Sequence, residues 1–447
     1  MALHTWTQYV PRSLVENNAN DLQFYGFGPF AFELLAGYDC PTYASFLNTT
    51  FHAYEESKTH RNSICLFEYD QGYLLQRHSN MQYVASTKNI AFTVRSVSTV
   101  GNYDYNVCVH FIFNLRITHF SHLQFDYTFY LDGTIETTVR ASGYIQSAHY
   151  YANEGYGYRI HDGLSGSMHD HALTFKADLD ILGTANSLAK HSIVPVAESY
   201  PWSHGATRNT MKLERTYIDT EDEGKINWPE NGASMYIVVN KDETNKYGEE
   251  RGYRIMPSRG GGTHLTITNS SNLLESANFA THHLYVTRQK DTEPHAAHAN
   301  NNYDVGDPIV NFNDFFDGES LDQEDLVLWF NLGMHHVPHT GDLPNTVFTT
   351  AQGSMQIIPH NYLLHDPSRD SRQTVRVAYE EGVVQSVKKF GAEMAKGVVN
   401  VTGTVPDFYA YMGDVAVRKF PYDRKLYPSF LQPMLTLVIC SSSKSLQ

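Results

Sequence analysis

The chain has 447 residues, of which 41% are hydrophobic and 18% charged, the balance of a globular protein with enough length for a large core. A net charge of −15 gives no electrostatic footprint for nucleic acid or an anionic membrane. Four cysteines are too few for a disulfide scaffold and form no CxxC pair, there is no signal-peptide pattern, and no apolar run approaches the roughly 18 residues of a membrane helix, so a soluble chain is expected.

Residues 1–20 read as irregular. Asp21-Leu22-Gln23-Phe24-Tyr25-Gly26-Phe27-Gly28 suits a strand and a tight turn. Ala91–Ser98 alternates as a strand and runs into Thr99-Val100-Gly101-Asn102-Tyr103-Asp104-Tyr105. Further short alternating runs follow at Thr134–Ala141, Ser234–Val239, His264–Thr268 and His283–Thr287, and Asp325–Phe330 reads as a buried strand. Valine, isoleucine, threonine and tyrosine fill these runs, and turn residues separate them. No strand–helix–strand alternation appears, so the expected fold is mainly β, a large antiparallel sandwich. Val383, Val384, Val387, Phe390 and Met394 then fall at helical spacing, with Lys388, Lys389 and Lys396 between them. One amphipathic helix is expected there, followed by an irregular Pro- and Tyr-rich end.

Four groups could carry chemistry. In His169-Asp170-His171, two imidazoles on a strand share one face, which makes half of a copper or zinc site. Among 23 histidines an HxH is by itself more often chance. His335-His336 follows the buried-looking strand, and adjacent strand residues face opposite ways, so at most one of the two joins the pair. Without a thiolate in either motif, copper(II) and zinc lead. Asp178-Leu179-Asp180 suits a hard cation such as calcium about as well as it suits a solvated strand edge. Asp21 lies among Leu22, Phe24, Tyr25 and Phe27, and a buried carboxyl there would have the raised pKa of a general base.

Taken together these residues resemble the catalytic domain of the copper-containing amine oxidases, with phrasing closest to the fungal members. The family signature Thr-x-x-Asn-Tyr-(Asp/Glu)-Tyr is met at every specified position of residues 99–105. Gly37-Tyr38-Asp39-Cys40, Trp228-Pro229, Gly252-Tyr253-Arg254, Thr287-Arg288-Gln289 and Asp342-Leu343-Pro344-Asn345-Thr346 match in order. The resemblance implies oxidation of primary amines by dioxygen to aldehyde, ammonia and hydrogen peroxide. It makes Tyr103 the precursor of topaquinone, Asp21 the base, and Tyr9 and Asn102 the residues that hold the quinone. It assigns His169, His171 and His336 to copper, and Asp178, Leu179, Asp180, Asp325 and Leu326 to a calcium-type site. It also implies a Cys40–Cys65 disulfide and a homodimer.

The pattern breaks in two places, and the tail after about residue 378 has no counterpart in it. Relatives carry small α/β domains ahead of the catalytic one, whereas this chain starts almost at the catalytic residues, which reads as lost domains or a shortened gene model. About 18 extra residues, 107–124, separate the signature from its usual continuation at Phe125-Asp126-Tyr127 and read as an intron carried into the frame. A transcript that retains them would exclude that reading. The resulting division is a sandwich over 1–378 and an unassigned, part-helical tail over 379–447. Two other readings compete with an active oxidase. One is a catalytically inactive scaffold with a binding or assembly role. The other is a zinc hydrolase on a β-sandwich, which leaves the intact signature unexplained.

Overall fold

A computed structural model describes residues 2–4, 33–53, 56–99, 122–145, 147–260, 264, 266, 277–298, 301 and 306–391. The strands, in chain order, begin with β1 (Ala2–His4), β2 (Ser45–Ala53), β3 (Glu56–Ser79), β4 (Tyr83–Thr99), β5 (His122–Phe129) and β6 (Ile135–Ser142). Three short strands follow, β7 (Ser147–His149), β8 (Arg159–His161) and β9 (Leu164–Gly166). Then come β10 (His169–Asp178), β11 (Ser187–Ser199), β12 (Thr207–Ile218), β13 (Lys225–Ile226), β14 (Ser234–Thr244) and β15 (Glu250–Pro257). The last are β16 (Leu284–Arg288), β17 (Leu326–His336), β18 (Gln352–His360), β19 (Thr374–Glu380) and β20 (Val383–Lys389).

Two antiparallel sheets form the sandwich. The smaller runs β1-β10-β17-β16-β13. The larger runs β12-β11-β14-β15-β18-β6-β5-β4-β19-β20, with β3 on the other flank of β4 and β2 beyond it. The expected mainly β, antiparallel fold is what the chain adopts. The core between the sheets joins Leu173, Phe175, Leu328 and Phe330 of the smaller sheet to Phe125, Val139, Val238, Ile255 and Ile357 of the larger. Phe175 and Phe330 stack with ring centroids 5.0 Å apart.

The smaller sheet is covered on its other face too. Ala172, Val327 and Trp329 pack there against Phe279, Tyr285, Phe312 and Phe315. Strand β10 is therefore buried on both faces, and all but its last residue are buried. Its odd-numbered side chains face the core and its even-numbered ones face this second layer. That alternation lets one strand carry unrelated chemistry on each side.

The tail differs from the sequence expectation. Residues 383–389 are not helical; they form β20, an edge strand paired with β19. Glu381 and Gly382 both take positive φ, 49° and 78°, the twist that closes a two-residue hairpin. Three of the five apolar residues at helical spacing are valines, which favour strands, and Val383, Val384 and Val387 stay exposed. Residues 392–447 lie outside the described residues. A second difference is that His264 and Thr266 are not in a strand. A third concerns the extra segment: its last three residues, His122–Gln124, open β5 opposite Thr99, Ser98 and Val97 of β4. Cys40 and Cys65 are joined by a disulfide.

Candidate metal centre

Strands β10 and β17 pair so that His169 lies opposite His336 and His171 opposite Met334. His169 is the first residue of β10 and His336 the last of β17, so the outermost rung of this ladder carries two of three convergent imidazoles. The rings of His169 and His171 are 4.8 Å apart, those of His169 and His336 4.8 Å, and those of His171 and His336 5.7 Å. One ring nitrogen from each lies within 4.8 Å of the others, and all three residues are buried. His335 points to the opposite face, as adjacent strand residues must.

Burial makes these rings poor proton acceptors. His169 is pushed down to about 3, by burial first and then by the neighbouring His336. Burial lowers His171 well below its ordinary value, with His169 and His336 adding to the effect. Burial also lowers His336, against the pull of Asp342. All three are thus held neutral, the form that donates a lone pair to a metal.

Two of the rings have polar groups behind them. His169 Nδ1 lies 2.8 Å from the Ser167 carbonyl oxygen, so Nδ1 carries the proton and Nε2 holds the lone pair. His336 Nε2 lies 3.6 Å from Asp342 Oδ2. Asp342 is itself fixed, since His339 N donates to its Oδ2 at 2.9 Å and His339 Nδ1 sits 2.6 Å away. The donor set, three neutral imidazoles and no thiolate, fits copper(II) or zinc.

The outer face of the same rungs holds a different group. Asp170 lies directly opposite His335, with His335 Nδ1 2.7 Å from Asp170 Oδ1. Thr266 N donates to Asp170 Oδ2 at 2.9 Å. Burial works against the Asp170 carboxylate, yet the His335 and Thr266 donors hold it below the usual range.

At the far end of β10, carboxylate oxygens of Asp178, Asp180 and Asp325 come within 4.8 Å of one another. Burial, then Asp178 and Asp180, raises Asp325. Three acids that repel one another in this way fit a bound hard cation. A second acidic group, Glu221, Asp317 and Glu319, also converges. There the positive charge is built in, because Lys290 Nζ lies 2.9 Å from Asp317 and 2.7 Å from Glu319. A cavity of about 490 Å³, lined in part by Arg95, Asp126 and Arg140, shares no residue with the histidines. Asp126 and Arg140 alternate with the core residues Phe125 and Val139, so it opens on the far face of the larger sheet.

Tyr9, Asp21, Asn102 and Tyr103 lie outside the described residues. Sequence reading missed Asp342, the Asp170–His335 pair and the Lys290 cluster. The Asp170–His335 pair and the Lys290 cluster join segments far apart in the chain, and Asp342 reaches back to His336 from the turn that follows β17, so no local period links any of them. Only the HxH alternation hinted that Asp170 faces away from its neighbours.

The family model for the copper amine oxidase enzyme domain matches residues 10–378. A copper amine oxidase of Bipolaris victoriae is 48% identical over 358 residues, which cover 79% of this chain and 47% of that protein. A copper-containing amine oxidase of Mus musculus is 32% identical, over 78% of this chain and 44% of its own. The chain thus spans about half the length of the curated relatives it matches. Among solved structures, Aspergillus nidulans amine oxidase superposes with a TM-score of 0.79 at 50% identity, over 90% of this chain and 52% of that one. Pichia pastoris lysyl oxidase superposes with a TM-score of 0.78 at 37% identity, over 90% and 53%.

Proposed function

The chain belongs to the copper amine oxidase family, and from that premise we propose that it oxidises primary amines with dioxygen, using copper held by His169, His171 and His336. The products are an aldehyde, ammonia and hydrogen peroxide. The observation that carries the reading is the buried trio of neutral imidazoles, in a chain that keeps the full signature around Tyr103.

Bound copper and a topaquinone formed from Tyr103 would supply the electron sink and the route to dioxygen. The chain's own residues do the rest. His169 is oriented by the Ser167 carbonyl, and the Asp342 carboxylate stands behind the His336 ring. Asp21 takes the proton from the substrate carbon next to nitrogen, a role of the kind that contributes about 10²–10⁴-fold. Asn102 and Tyr9 hold the quinone ring. Asp178, Asp180 and Asp325, with the Leu179 and Leu326 carbonyls, bind calcium, and two chains associate as a homodimer.

One observation favours a second reading, the inactive scaffold. The rungs opposite Val97, Ser98 and Thr99, the last of which opens the signature, are taken by residues of the extra segment. One experiment separates the two. The purified protein is incubated with copper in air, then examined for a visible quinone band, for quinone staining, and for hydrogen peroxide release with benzylamine, methylamine and a longer alkylamine. An oxidase gains the band, and Tyr103→Phe loses it. A protein that binds copper and stays colourless is the scaffold.

A further inference from the structure

We propose that Asp170 and His335 are a positioning pair that keeps the copper rung of the ladder closed; this rests on the reading that the three imidazoles hold copper. The need for such a pair follows from where the ligands sit. His169 begins β10 and His336 ends β17, so their rung is terminal. Terminal rungs open most readily, because no further pairing holds them. A metal bound there gains affinity from anything that keeps the two strands together before it arrives.

Among the described residues, apolar packing does not supply that closure on the outer face. The apolar layer over the smaller sheet takes in Ala172, Val327 and Trp329 and stops before Asp170 and His335. At the next rung in from the ligands, a polar link takes over. Asp170 faces His335 directly, and His335 Nδ1 lies 2.7 Å from Oδ1. The other oxygen accepts from Thr266 N at 2.9 Å, and Thr266 Oγ1 lies 3.4 Å from Oδ1. The carboxylate therefore ties three segments, β10, β17 and the chain at Thr266, within one residue of two ligands. Asp170 is 8% exposed, so removing His335 would leave a buried carboxylate held by Thr266 alone among these partners, whereas the His335 side chain is 52% exposed and can be changed with little effect on packing.

This role differs from that of Ser167 and Asp342. Those groups lie behind the ligand rings, whereas Asp170 and His335 set the separation of two backbones. His171, one rung further in, is held by the interior of the ladder and depends on the pair least.

The test uses the whole chain with Asp170→Ala, Asp170→Asn and His335→Gln. Amide hydrogen exchange on copper-free protein should quicken at 169–171 and 334–336 in Asp170→Ala and His335→Gln, and leave the interior of β10 unchanged. Copper affinity should fall about 10- to 100-fold, as for other groups that support metal ligands. The copper EPR spectrum should broaden into more than one species. Asp170→Asn, which keeps an acceptor for Thr266, should lie between. If His335→Gln, which is the safer variant for folding, leaves both exchange and copper affinity at the parent values, the proposal is wrong. If the parent chain binds no copper, the copper reading fails by itself, and the exchange experiment still decides whether the pair closes the rung.

Discussion

A buried imidazole that cannot take up a proton adds little to a fold and much to a metal site. Replacing His169 or His171 by alanine should therefore abolish stoichiometric copper, read by metal analysis, with no loss of the β signal in circular dichroism. Elsewhere the same physics makes a liability. His360 of β18 and His191 of β11 lie 5.7 Å apart, ring to ring. Burial, then His191, Arg254 and Arg215, push His360 down to about 4. Burial, with Arg215 nearby, lowers His191 as well. A group whose folded pKa is depressed stabilises only while it is neutral. Its contribution is full above the unfolded value near 6.5 and is lost as pH falls toward 4. Urea unfolding at pH 7 and at pH 4.5 should show His360→Gln losing less stability than the parent. The difference should be about 1 kcal/mol, after allowance for the ring's partial exposure. The HxH was legible in the sequence because the strand period brings i and i+2 together. Asp342 was not, because a loop acid reaching back to a histidine leaves no period to read.

At the scale of elements, alternation decided what could be read and what could not. β10 is buried on both faces, so its polar residues looked like isolated candidates until β17 supplied their partners. The tail shows the converse. Helical spacing of valines was overruled by a two-residue turn at Glu381-Gly382 and by the valines' preference for strands. Register also says what the extra segment displaces. Residues 122–124 of that segment take the three rungs opposite Thr99, Ser98 and Val97, next to Phe125 opposite Ser96. A chain lacking 107–124 should form the quinone band faster or more completely than the full chain on incubation with copper in air. Equal bands in both would show the segment to be harmless. The Cys40–Cys65 disulfide joins residues 25 apart in sequence. Replacing both cysteines by serine should cost about 2–4 kcal/mol in denaturant unfolding.

At the scale of the whole molecule, the two sheets and the covering layer enclose β10, β16 and β17 of the smaller sheet almost fully. It carries the histidine trio at one end of β10 and the Asp178 cluster at the other. Calcium should raise the thermal midpoint and a chelator should lower it; asparagine in place of Asp178 and Asp180 should remove the response. The Lys290 cluster provides a control within the same chain, because its neutralising charge is covalent and no chelator can withdraw it.

The length of β10 also sets how the two ends can influence each other. His169 and Asp178 stand at opposite ends of the strand, about 30 Å apart at roughly 3.3 Å per residue. A charge at that distance lies several screening lengths away in physiological salt, where the Debye length is about 8 Å. Calcium would then reach the histidines only as a mechanical load, by stiffening the strand pair that both ends share. It should lengthen the time for which copper stays bound, seen as a slower off-rate to a chelator selective for copper. It should leave the g-values of the bound ion where they were.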